Sequence, residues 1–200
     1  MTLGRKILTY IFISFWLLVI PSVGGIYYYY TQGLSYKDDI VESFTIQSEA
    51  DFSYIYQSYA KNDIYNLDRD ITISGETFQM IGTQKYPFKG VFNGNGYTIT
   101  ISSSTTIVGD STHQALFGVN QGTIKNLLIN EASFSLDGAN ASILVAENHG
   151  IIEHVMILDS SLALGEHVRY AGLMVGSNYG TIRDAYVNGD ITIDSELISR

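Results

Sequence analysis

The chain has 200 residues, enough for one domain plus a targeting segment, and it contains no cysteine, which excludes disulfides and thiolate metal sites. Only 16% of its residues are charged, while 19 glycines and 15 tyrosines fit β-structure rich in turns. Only Arg5 and Lys6 are basic before Tyr30; after it nine basic residues face twenty acidic ones, a balance of −11 that argues against nucleic acid and anionic lipid headgroups as partners.

Residues 1–30 have the pattern of an export signal or membrane anchor. Arg5 and Lys6 precede an uncharged apolar run from Ile7 to Ile20, followed by Pro21, small residues and four tyrosines, Tyr27 to Tyr30. A cleavable signal peptide would be cut near Gly24 or Gly25. An uncleaved anchor would use residues 7–26, about the length that spans a bilayer, with tyrosines at the far interface. Both place the rest of the chain outside the cytoplasm.

Residues 31–47 read as a polar linker, and residues 48–61 as an amphipathic helix. Ser48 is placed to cap it, with Glu49 and Asp51 in the first turn. Phe52, Ile55, Tyr56 and Tyr59 form its apolar stripe, suited to covering the open first coil of a stacked array.

From residue 62 to 200 the sequence is that of such an array. The stretch IYNLDRDITISG supplies two short strands, and PFKGVFNGNGYTITI leads to Ile99, which lies 25 residues before Ile124 and marks a first, looser coil. One pattern is then written three times: QALFGVNQGTIKNLLI, SILVAENHGIIEHVMI and AGLMVGSNYGTIRDAYV. It is anchored on Asn120, Asn148 and Asn178, spaced 28 and then 30 residues apart, each followed two residues later by Gly122, Gly150 or Gly180. Repeats of that length, built from short β-branched runs broken by Gly and Asn, predict coils that pair strand on strand. The expected fold is all-β: a right-handed parallel β-helix of about four coils behind an N-terminal capping helix. The Asn-x-Gly elements are expected to be structural. Positive φ at the turn and an axial ladder of Asn side chains would both suit these residue types.

These residues resemble the GLUG-motif β-helix proteins, repeat regions of bacterial cell-surface and adhesin-like proteins and of some secreted immunoglobulin A peptidases. The resemblance covers about Ile46 to Ile193. Tyr65, Leu67, Asp70, Ile71, Gly75, Phe88, Gly90, Phe92, Gly94, Asn95 and Gly96 match the lead-in segment. Gly172, Val175, Gly176, Asn178, Gly180 and Ile182 match the repeat best. The middle repeat departs from it, with Ser142 and Ala146 where glycine is usual, and the first has Gln114. The resemblance implies a parallel β-helix at the cell surface and says little about activity.

No catalytic set, metal site or cofactor is expected. The stretch from His149 to His154 lacks the spacing of either zinc-protease pattern, and Glu153 and His154 align with Lys125/Arg183 and Asn126/Asp184 on a solvated face. Asp184, Asp190 and Asp194 share one coil without acids stacked in the coils before, which leaves a carbohydrate-active β-helix enzyme as the alternative function. A weak calcium site in the Asp-rich turns stays open. Leu128, Met156 and Tyr186 occupy one register between inward positions and should form an outward apolar row. The expectation is therefore a non-catalytic, exported surface module for adhesion or for binding a protein or glycan. It would be anchored or secreted, and would suit the first part of a larger surface protein. The strand near Ile191–Ile193 has no capping element after it in the sequence, so that end is expected to be covered either by a longer chain or by self-association through the open C-terminal coil.

Overall fold

The computed structural model describes residues 41–58 and 62–193, within a compact unit that begins at Val41. The signal or anchor segment of residues 1–30 and most of the expected linker lie outside the described residues. Among the described residues no helix is long and apolar enough to cross a membrane.

The described chain is a parallel β-solenoid of about five coils, one more than the sequence pattern predicts. It opens with β1 (Ser43–Ile46), then a short helix α1 (Glu49–Tyr54) continued by a 3-10 turn (Ile55–Ser58). The next coil holds β2 (Ile64–Leu67), β3 (Ile71–Ile73) and β4 (Thr77–Gln79). It is followed by β5 (Val91–Asn93), β6 (Thr98–Ile101), β7 (Thr106–Val108), β8 (His113–Gln114) and β9 (Phe117–Asn120). The first regular repeat gives β10 (Thr123–Asn130), β11 (Ser133–Leu136), β12 (Asn140–Ser142) and β13 (Val145–Asn148). The second gives β14 (Ile151–Leu164), β15 (Tyr170–Gly172) and β16 (Val175–Asn178), and β17 (Thr181–Ile193) begins the third.

Every strand pairs in parallel with its counterpart one coil away. The largest sheet runs β1-β2-β5-β10-β14, with β17 on β14, while β8-β12-β15 and β9-β13-β16 form separate three-stranded sheets. The register stacks like on like. Tyr65, Phe92, Ile124, Ile152 and Ile182 form one inward row, and Ile71, Ile99, Ile129, Ile157 and Val187 another. All but Ile182 and Val187 in the last strand are buried. The wide first coils are filled by rings: Phe52 stacks on Phe78 at 5.3 Å and meets Phe92 edge-on at 5.3 Å, and Phe88 meets Phe117 at 5.1 Å. Later coils are filled mostly by Ile, Val and Leu, with Phe134 the buried ring of the first regular repeat.

Four sequence expectations are corrected here. Ser43–Ile46 is not linker but a strand paired with β2, because its alternation of Phe44 and Ile46 inward suffices for one rung. The helix is six residues long rather than spanning 48–61, and of its stripe Phe52 and Ile55 are buried while Tyr56 is exposed. Ile99 sits opposite Ile129, not Ile124, whose partner is Phe92. The reason is a turn at Gly94–Tyr97 that replaces the two residues Asn126 and Leu127 of β10, so β5 and β6 together do the work of one strand.

The fourth concerns the Asn-x-Gly elements. None of these asparagines or glycines has a positive φ. The left-handed residues are instead Asn95, Asn126, His154 and Asp184, with φ of 51–52°, at one bend of each coil, and Glu131 and Asp159 at the next. The sequence alignment of Asn126, His154 and Asp184 thus marks a backbone bend, where Asn and Asp are the readiest non-glycine residues.

Candidate functional site

Two ladders on the outside of the coils are candidate sites. The first is set up by the Asn-x-Gly corner. Asn120 donates through Nδ2 to Asn148 Oδ1 at 2.7 Å, and Asn148 donates likewise to Asn178 at 2.7 Å. Each Asn also accepts, through Oδ1, the N–H of the glycine two residues on: Gly122 at 3.0 Å, Gly150 at 3.2 Å and Gly180 at 3.3 Å. A side-chain amide in this chain is therefore used on both its ends, as burial of Asn120 and Asn148 requires.

The glycines are needed for closeness rather than for φ. A Cβ at Gly150 would collide with the carbonyl oxygen of Gly122, one at Gly180 with that of Gly150, and one at Gly122 with that of Gly90. Backbone lies directly on backbone here, and the absent side chains leave an open trough of about 580 Å³ along the solenoid axis. Its floor is Gly90, Gly122, Gly150 and Gly180. One wall is the residue between Asn and Gly in each regular coil, with Lys89 at the matching place before them: Lys89, Gln121, His149 and Tyr179, all exposed. The opposite wall is the residue after the glycine, including Thr123, Ile151 and Thr181.

The middle of the first wall is held from beneath. Glu147 accepts from His149 Nε2 at 2.7 Å through one oxygen, and its other oxygen lies 3.3 Å from Nε2 of the buried His113. Burial pushes the Glu147 carboxyl up, but the hydrogen bonds and charge of His149 and His113 outweigh it and hold Glu147 below the usual glutamate range. The His149 ring in turn stacks on Tyr179, centroids 5.1 Å apart and 15° from parallel. Glu147, His149 and Tyr179 form one preoriented unit on the trough rim.

The second ladder is the row Leu128, Met156 and Tyr186, which the strand register places side by side on β10, β14 and β17. Leu128 is half-buried, Met156 is 43% exposed and Tyr186 53% exposed. Next to it Arg183 binds Glu153 through Nε at 2.7 Å and through its terminal nitrogen, a pairing that holds Glu153 below its usual pKa.

The histidine stretch from His149 to His154 does not converge. His149 faces Glu147, Glu153 faces Arg183, and His154 lies 3.5 Å from Asp184. Among the described residues no group of three or more His, Asp or Glu side chains is gathered so as to hold a metal ion. Asp184 and Asp190 are exposed, and Asp194 lies outside the described residues.

The trough wall was missed in the sequence, although its signal was there: the one freely varying position inside an otherwise fixed Asn-x-Gly. No family model, no curated protein and no solved structure matches the chain.

Proposed function

We propose that the chain is an exported, non-catalytic surface module that binds a protein or glycan partner through the outer faces of a right-handed β-solenoid. The observation that carries this reading is the row of Leu128, Met156 and Tyr186. Three large apolar side chains are stacked in register on a solvent-facing sheet, where a fold needing only solubility would place polar residues. The acids beside that row are paired with cations or stand singly at bends, which suits recognition more than acid–base chemistry. The resemblance to GLUG-motif repeats and the N-terminal Arg-Lys-apolar pattern support export to a bacterial surface.

On the same reading α1 is the lid of the first coil. Phe52 and Ile55 enter the aromatic core, and Glu49 receives the backbone N–H groups of Ser74 and Gly75 at 3.0 Å each, tying the helix to the next coil. Ile182, Val187, Ile191 and Ile193 of β17 occupy inward registers yet are exposed, which supports self-association through this strand.

The test is an array of glycans and extracellular-matrix proteins probed with the full chain, with release of reducing or unsaturated sugar followed in parallel. Saturable binding without turnover, lost in Met156→Ala and Tyr186→Ala, is the expected result. Turnover of any polysaccharide would overturn the reading and direct attention to Asp184 and Asp190.

A further inference from the structure

We infer that the glycine-floored trough is a binding site for an extended, neutral oligosaccharide, gripped by Lys89, Gln121, His149 and Tyr179. The inference rests on the surface-module reading and names for it a second face and a ligand class.

Four features of the trough lead there. First, its shape is linear: four rungs repeat at the inter-strand spacing of about 4.8 Å, so the row from Lys89 to Tyr179 extends on the order of 14 Å, a length suited to a short oligosaccharide laid along the axis. The glycine floor lets such a ligand come down to the backbone without meeting a Cβ.

Second, the three regular rungs of the trough have their main-chain donors already engaged. Gly122, Gly150 and Gly180 give their N–H groups to the Asn ladder. Thr123, Ile151 and Thr181 give theirs to Gly90, Gly122 and Gly150, while Gln121, His149 and Tyr179 give theirs to Phe88, Asn120 and Asn148. An extended peptide, which recognises an edge by main-chain pairing, finds no edge here. A polyol needs only side-chain partners, and these are present as an ammonium, an amide, a phenol and the hydroxyls of Thr123 and Thr181.

Third, the wall carries a ring suited to a pyranose. Tyr179 is 70% exposed and held in place by its stack on His149, whose ring is itself fixed by Glu147. A rigid aromatic with an apolar body and a polar tip binds C–H surface and hydroxyls together, with little ordering cost left at binding.

Fourth, the charge is balanced. Lys89 makes no ion pair among the described residues, and Glu147 lies under the same wall, while the chain beyond Tyr30 carries −11. A polyanionic sugar would be repelled by that surplus, whereas a neutral one can use Lys89 as a hydrogen-bond donor.

Calorimetric titration of the full chain with cellotetraose, chitotetraose and tetragalacturonate tests the inference. Binding of a neutral tetrasaccharide is expected, weakened about tenfold in Tyr179→Ala, the loss of roughly 1.4 kcal/mol that one ring contact supplies. It should be weakened less in Gln121→Ala. Far-UV circular dichroism and the melting midpoint of Tyr179→Ala should match the parent, since the ring is on the surface. Failure of both neutral tetrasaccharides to bind, equal affinity in Tyr179→Ala, or binding of tetragalacturonate alone would each overturn it. If those titrations are silent while array binding still depends on Met156 and Tyr186, the trough inference falls and the surface-module reading stands. Turnover on the array would remove the surface-module reading itself.

Discussion

At Gly150 and Gly96 the chain uses the same residue for two unrelated physical reasons, and mutation separates them. Gly150 has an ordinary φ but sits against the Gly122 carbonyl, so any Cβ forces adjacent coils apart. Gly96 has a φ of 83° with nothing within 4 Å of an added Cβ, so a substitution there meets only backbone strain. Gly96→Ala should therefore cost roughly 1–2 kcal/mol in urea unfolding, and Gly96→Asn less, because Asn tolerates the left-handed region. Gly150→Ala should cost more than Gly96→Ala, and Gly150→Asn should rescue nothing. Asn148→Ala removes the 2.7 Å acceptor of the buried Asn120 Nδ2, leaving it the Gly122 carbonyl at 3.5 Å, and removes the acceptor of the half-buried Gly150 N–H, at about 1–3 kcal/mol for the buried amide. Equal effects at the two glycines would contradict the assignment. The repeat made these positions visible in the sequence, but not the cause. Spacing shows that a glycine is fixed, and cannot separate a close approach from a positive φ. The true left-handed positions, Asn126, His154 and Asp184, were aligned yet differ in chemistry, so their shared backbone role was hidden behind side chains that share nothing else.

The short helix α1 is the element whose beginning was legible and whose end was not. Ser48 caps it as its side chain predicts, accepting the Asp51 N–H at 3.2 Å. The backbone N–H of Gln47 and the Ser48 hydroxyl in turn hold the Asp51 carboxyl below its usual range. The periodic stripe runs on in the sequence through Tyr59, but the α-helix ends at Tyr54 with Phe52 buried, and the backbone tightens into a 3-10 turn that begins at the buried Ile55. Burial of Phe52 and Ile55, not propensity, supports this helix, as expected for one well below the length that is stable alone. Phe52→Ala should cost about 3–5 kcal/mol because it empties a site shared by Phe78, Phe92 and Phe117. Ser48→Ala should cost about 1 kcal/mol. Thermal unfolding of the two variants checks the order, and a cap loss larger than the core loss would mean that the helix stands on its own. The coil from Val91 to Gly122 was misaligned for a comparable reason. Its extra turn at Gly94–Tyr97 falls inside the pattern, and a fixed offset cannot anticipate an insertion.

Across the whole molecule, the solenoid was legible because its signal is additive: each coil repeats the same inward rows, and three imperfect copies suffice to set the register. The outer faces were legible only where they, too, repeat. Leu128, Met156 and Tyr186 stand out as a row of one character, whereas Lys89, Gln121, His149 and Tyr179 differ at each rung and become one surface only when the coils are stacked. Both candidate faces, the Asn ladder and the glycine floor depend on a single statement, that residue 123 of β10 lies beside residue 151 of β14 and so on along both strands. The natural absence of cysteine makes that statement directly measurable. Ser133 and Ser161 are register partners with their hydroxyl oxygens 2.9 Å apart, and Ala163 lies two positions further along β14. Parallel neighbours in a sheet come within the span a disulfide bridges, and a two-residue slip takes them outside it. Mild oxidation of the Ser133→Cys, Ser161→Cys double variant should close a disulfide rapidly and nearly completely, while Ser133→Cys, Ala163→Cys should stay reduced. Closure of the second pair in preference to the first would contradict the register, and with it every ladder described above.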